Sequence, residues 1–102
     1  MGILSLLFGK KEAINFKELV NQGAVILDVR TTNEFKSGHI ENAKNISVQQ
    51  LILQLNKLNN KTPVITCCAS GMRSASAVSI LKKAGFEAYD GGSWLSLQKK
   101  LS

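Results

Sequence analysis

The feature that most constrains this chain is an apolar run at residues 24–29, unbroken except for Asp28 and followed at once by the polar Arg30, Thr31 and Thr32. A strand with one wet face alternates apolar and polar residues, whereas a continuous run is the pattern of a strand covered on both faces. A second run, residues 64–67, apolar except for Thr66, starts after the single proline, Pro63. Between and after these runs lie segments with helical spacing, so strands and helices alternate. That order predicts an α/β domain with a parallel sheet between helices.

The helical segments carry their own punctuation. Asn15 with Glu18, and Thr31 with Glu34, have capping-box spacing, and Gly23, Gly38 and Gly85 stand where helices should stop. A short strand is expected near residues 44–46. Ser47 then caps a helix whose apolar stripe is Val48, Leu51, Ile52, Leu55 and Leu58. A second striped helix carries Ala77, Val78, Leu81 and Ala84. Residues 86–89 read as a last strand, Gly91 and Gly92 as a turn, and Ser93 as the cap of a final helix ending at Leu101. Five short strands and about five helices are expected, and these segments place four of the strands.

Length and charge narrow the function. At 102 residues and 44% hydrophobic content the chain has material for one modest core. The domain is expected over residues 12–102, with residues 1–11 as an apolar and basic tail. The apolar part of that tail, residues 2–8, is far below the ~20 residues of a spanning helix, and Lys10 and Lys11 follow it where a secretory signal would have them precede. The tail is expected to pack on the domain, not to anchor it to a membrane. The net charge of +6 favours anionic small molecules or an acidic protein partner. The basic residues form no basic helix and are not interleaved with aromatics, so nucleic acid is not expected. Two adjacent cysteines and one histidine provide neither a disulfide framework nor a zinc ligand set, which points to no metal and a reducing, cytoplasmic setting.

The chemistry concentrates at residues 68–74. Cys68 ends a buried strand, and Ala69, Ser70, Gly71, Met72, Arg73 and Ser74 lead into a helix. Ligands of open α/β sheets bind at that end of the strands. A tight loop there aims several backbone N–H groups at one centre, and the helix adds the positive end of its dipole. Such a centre favours a thiolate, hence a nucleophile. The same donors would stabilise a persulfide anion, and Arg73 could bind a departing oxyanion. Ser70 and Ser74 are further candidate donors to the anion. Cys67 points to the opposite face by strand alternation and is expected to be structural.

Asp28-Val29-Arg30, Glu34-Phe35, Gly38-His39-Ile40, Ala43, Asn45-Ile46, Cys68-x-x-Gly71-x-Arg73-Ser74, Gly85-Phe86 and Gly91-Gly92 together resemble the rhodanese family, over nearly everything after the tail. The resemblance implies a three-layer fold with a five-stranded parallel sheet of order 3-2-4-5-1. It also implies sulfurtransferase activity with no cofactor beyond a covalent persulfide on Cys68. The sulfur would come from a small anionic donor such as thiosulfate, or from a persulfide, and go to cyanide or a thiol, including a protein thiol. Cys68 and Arg73 enclose four residues, as in the sulfurtransferases, whereas the related phosphatases and arsenate reductases enclose five. A non-catalytic sulfur-carrier or protein-interaction module is the alternative, and a small phosphatase or arsenate reductase is a third reading that the loop length disfavours. Asp28 and Arg30 are expected to brace the loop as an ion pair, and His39 to shape the fold. Two departures bear on substrate: Ala69 stands where many family loops carry Arg, Lys or Gln, and Trp94 follows the glycine pair sooner than usual.

Overall fold

The computed structural model describes residues 13–102. The expectations for the tail at residues 1–11 lie outside the described residues. In chain order the elements are α1 (Phe16–Asn21), β1 (Val25–Asp28), α2 (Thr32–Lys36), β2 (Lys44–Asn45), α3 (Val48–Leu51), a 3-10 turn (Leu55–Lys57), β3 (Val64–Cys68), α4 (Met72–Lys83), β4 (Ala88–Ser93) and α5 (Trp94–Leu101). The strands form one sheet of order β2-β1-β3-β4, and every pairing is parallel.

This sheet has four strands among the described residues, not five. Its order is the implied 3-2-4-5-1 without the first strand. That strand would have to come from the chain ahead of α1, where residues 13–15 form no strand.

The two apolar runs become the central strands because both of their faces are covered. Leu27, Val29, Val64 and Cys68 pack with Leu51 of α3 and with Ala77 and Leu81 of α4. On the other face Ile26, Ile65 and Cys67 pack with Phe16 of α1 and Leu97 of α5. The result is three layers, helix on sheet on helix. Among the described residues no helix is long and apolar enough to cross a membrane.

Local chemistry sets the helix starts. The Asn15 side chain accepts the Glu18 N–H at 3.0 Å, and Ser93 accepts that of Ser96 at 3.2 Å. Thr31 and Glu34 close a complete capping box. Each such cap contributes about 1 kcal/mol.

Two segments depart from the sequence pattern. The helix after Ser47 starts without the expected side-chain cap hydrogen bond and ends after four residues, and a tighter 3-10 turn then brings Leu55 and Leu58 to the core. Ile52, expected in the stripe, is left 65% exposed, because the break in the helix turns it away from the face that Leu51 and Leu55 share. The last strand runs through Gly91 and Gly92 instead of turning there. A Cβ on Gly91 would lie 2.5 Å from the Thr66 carbonyl oxygen and 2.9 Å from a Leu97 methyl, so glycine is what lets β4 lie against β3 and under α5. A register shift between Thr66 and Cys68 absorbs the irregularity and leaves Ser93 beside Cys68.

Candidate functional site

Cys68 is the last residue of β3, and the chain turns from it through residues 69–71 into α4. Gly71 makes the turn at φ +108°, a left-handed conformation that side chains other than glycine rarely adopt. The turn folds the start of α4 back over the sulfur. The Gly71 N–H donates to Cys68 Sγ at 2.9 Å and the Ser74 N–H at 3.3 Å. The donors are the N-cap residue and a first-turn residue of a twelve-residue helix, whose dipole adds positive potential at the same place. Two amide hydrogens aimed at one sulfur are the geometry that a negatively charged sulfur species would use.

A hydrogen-bond chain holds Ser74 in position. Its Oγ donates to Asp90 Oδ1 at 2.6 Å and lies 2.7 Å from Thr66 Oγ1, while the Gly92 N–H donates to the same Asp90 oxygen at 2.9 Å. Ser74 therefore serves the sulfur through its backbone. Its hydroxyl, expected to face a bound anion, is turned into the seam between α4 and β4. Thr66 and Asp90 complete this seam, and the sequence pattern does not single them out. The only trace of them there is the Asp90-Gly91-Gly92 run, whose meaning depends on strand pairing.

Arg73 departs most from expectation. Its guanidinium turns to Glu34 on α2, with Nη1 2.7 Å from Oε1 and Nη2 3.0 Å from Oε2, and makes no hydrogen bond to Cys68. The carboxylate can be reached because the Thr31 cap holds it at the edge of the loop, with the Thr31 N–H donating to Oε1 at 2.9 Å. Arg73, followed by the Thr31 contacts, holds the Glu34 carboxyl down to about 2. Thirty-nine residues separate the partners, so no local spacing announces the pair.

Access to the sulfur also differs from expectation. Cys68 has 0% exposure, while Ala69, Ser70 and Met72 around it are exposed, Met72 at 79%. The thiol read from the sequence as a nucleophile is thus covered, because the turn that supplies its N–H donors also lies over it. Cys67 is equally buried on the other face of the sheet, and burial, with Asp28 adding, pushes its thiol up to about 12. It is a packing residue, as alternation along the strand requires.

Asp28 and Arg30 brace the same end of the sheet. Arg30 Nε donates to both Asp28 oxygens at 2.9 and 3.1 Å, and Nη2 reaches Oδ2 at 2.7 Å and the Gly38 carbonyl at 2.6 Å. The guanidinium lies 4.8 Å from the centre of the Trp94 ring, and Trp94 in turn approaches Gly38 so closely that a Cβ there would meet it at 3.3 Å. Trp94 thus walls the brace. Asn45 donates to the carbonyls of Asp28 and Arg30, both at 3.0 Å. His39 stacks on Phe35 with ring centroids 3.6 Å apart and bonds the Phe35 carbonyl oxygen through Nδ1, which is a fold-shaping role.

With this geometry in hand, comparisons with known proteins agree on one family. The profile of the rhodanese-like domain matches residues 12–94. YqhL of Bacillus subtilis is 40% identical over 62 residues, 61% of this chain and 49% of YqhL, so the chain spans about half of that relative's length. Thiosulfate sulfurtransferase GlpE of Ectopseudomonas mendocina is 34% identical over 79 residues, 74% of this chain and 72% of GlpE. Among solved structures, a rhodanese-related protein from Thermoplasma volcanium superposes with a TM-score of 0.73 at 30% identity, covering 88% of this chain and 93% of its own.

Proposed function

This chain belongs to the rhodanese-like domain family, and we propose that it is a sulfurtransferase that carries sulfane sulfur as a persulfide on Cys68. The observation that carries this reading is the pair of amide donors, Gly71 N–H and Ser74 N–H, converging on Cys68 Sγ at a helix start. They stabilise a thiolate before transfer and the longer persulfide anion after it. The sulfur is held covalently, so no cofactor is required. The acceptor is a thiol, small or on a protein, or cyanide, and a reducing cytoplasmic compartment suits such a cycle.

Because Cys68 is covered, loading requires the loop to yield at residues 69–72. Three of those four residues are already exposed, so the barrier is local to the turn. The test is mass spectrometry of the full chain after incubation with sulfur donors. Cys68 gains ~32 Da, one sulfur atom, the Cys68→Ala variant gains nothing, and a thiol acceptor reverses the gain. Failure of every donor to load Cys68 would remove the reading.

The covered sulfur favours one second reading, a sulfur carrier or interaction module that opens only on a protein partner. It differs in turnover: it accepts one sulfur from a protein persulfide but does not cycle with small donors.

A further inference from the structure

The turn between Cys68 and Ser74 contains one charged residue, Arg73. Both of its terminal nitrogens are engaged by the two oxygens of Glu34, the same planar fork that would grip two oxygens of a sulfonate. Glu34 is no passing surface partner. Its Oε1 also accepts the Thr31 N–H and, at 3.1 Å, the Thr31 hydroxyl, so the capping box of α2 aims it at the loop. The chain's one other arginine, Arg30, is locked on Asp28 and the Gly38 carbonyl. The loop therefore offers a donor amide hydrogens, the Ser70 hydroxyl, and the apolar Ala69 and Met72.

We propose that Glu34, by occupying the Arg73 fork, sets donor choice at this site and makes it select thiol persulfides over thiosulfate. This deepens the sulfur-transfer reading and rests on it. With thiosulfate, the Cys68 thiolate attacks the outer sulfur, the S–S bond breaks, and sulfite leaves with the electron pair. Three negative charges then share the site, and the Arg73 guanidinium, already neutralised by Glu34, is not free to offset them. With a persulfide R–S–SH, the thiolate attacks the terminal sulfur, the S–S bond breaks and R–S⁻ leaves with the pair. The proton stays on the transferred sulfur, and the reacting groups carry a single negative charge throughout. Two amide donors and a helix N-terminus suffice for that.

The test compares the unaltered full chain with Glu34→Gln, which keeps a side chain able to complete the cap. Loading of Cys68 is followed by mass with thiosulfate and with glutathione persulfide. Freeing the fork should raise the ratio of thiosulfate to persulfide loading about ten-fold, the size of one lost charge-assisted contact, mainly through a lower KM for thiosulfate. The double variant Glu34→Gln, Arg73→Gln should lose that gain. A ratio unchanged or lowered by Glu34→Gln overturns the proposal. A second arm needs no sulfur chemistry: in a Cys68→Ala background, sulfate titration followed at the Gly71 and Ser74 amides by NMR should show about ten-fold tighter binding once Glu34 is Gln. If neither donor loads Cys68, sulfur transfer fails as the function, and unchanged sulfate affinity would separately overturn the role of Glu34.

Discussion

Two arginine–carboxylate pairs stand at the same end of the sheet, and bond length does not distinguish them. Arg30 meets Asp28 at 2.7 Å and Arg73 meets Glu34 at 2.7 Å. Burial does: the Asp28 and Arg30 side chains are 0% and 5% exposed, those of Glu34 and Arg73 36% and 35%. Inside the protein, each charge has been stripped of water and depends on its partner, so removing either one strands the other. At the surface, water and dissolved anions compete for both partners, and the contact contributes little to stability. One ion pair therefore acts as a rivet for the β1 end of the sheet, and the other as a latch that an anion or a single substitution can open.

The sharpest way to break this comparison is to remove the carboxylate from each pair. Asp28→Ala leaves Arg30 buried without its counter-charge and should lower the free energy of unfolding by roughly 3–5 kcal/mol, read from urea titration. A loss below about 1 kcal/mol would mean that the Gly38 carbonyl and the Trp94 ring alone satisfy Arg30. Asp90→Ala falls between the two pairs, since it removes a charged acceptor from both Ser74 and Gly92. A loss of about 2 kcal/mol is expected. It should be accompanied by slower sulfur loading, because the Ser74 amide beside Cys68 Sγ loses its support. Stability loss with unchanged loading would show that the seam does not position that amide. Glu34→Gln should cost less than about 1 kcal/mol in the same titration while changing donor preference. A rivet-sized loss there would abolish the distinction.

The parts of this molecule legible in its sequence are those set by near neighbours. The runs at residues 24–29 and 64–67 marked strands covered on both faces, and alternation along β3 is enough to send Cys67 and Cys68 to opposite layers. The caps at Asn15, Thr31 and Ser93 depend on groups three residues away, and all three form. What escaped depends on distant partners. The Asp90-Gly91-Gly92 run looks like a turn until the closeness of Thr66 and Leu97 shows why only glycine fits within a strand. The position of Arg73 follows from its distance along the chain from Cys68, but its orientation is decided by Glu34, whose capping role gave no hint of a second partner. The cover over Cys68 arises from the turn that supplies its donors, a trade that spacing alone does not reveal.

The smallest effect concerns acidity, and here the latch makes a definite statement by its insensitivity. Arg73, then Thr31, hold Glu34 down to about 2, from an ordinary value of 4.5. A carboxyl depressed on folding contributes stability that is fully present above its unfolded value and is lost as pH falls through its folded value. The stability difference between the unaltered chain and Glu34→Gln should therefore stay constant from pH 6 to 9 and narrow only as pH drops from about 4.5 toward about 2. Cys67, held neutral by burial until about 12, adds no titration within that plateau. Urea midpoints of both proteins across this range provide the check. A difference that changed between pH 6 and 8 would mean that the Arg73 fork is released within the working range, and donor preference would then have to shift with pH as well.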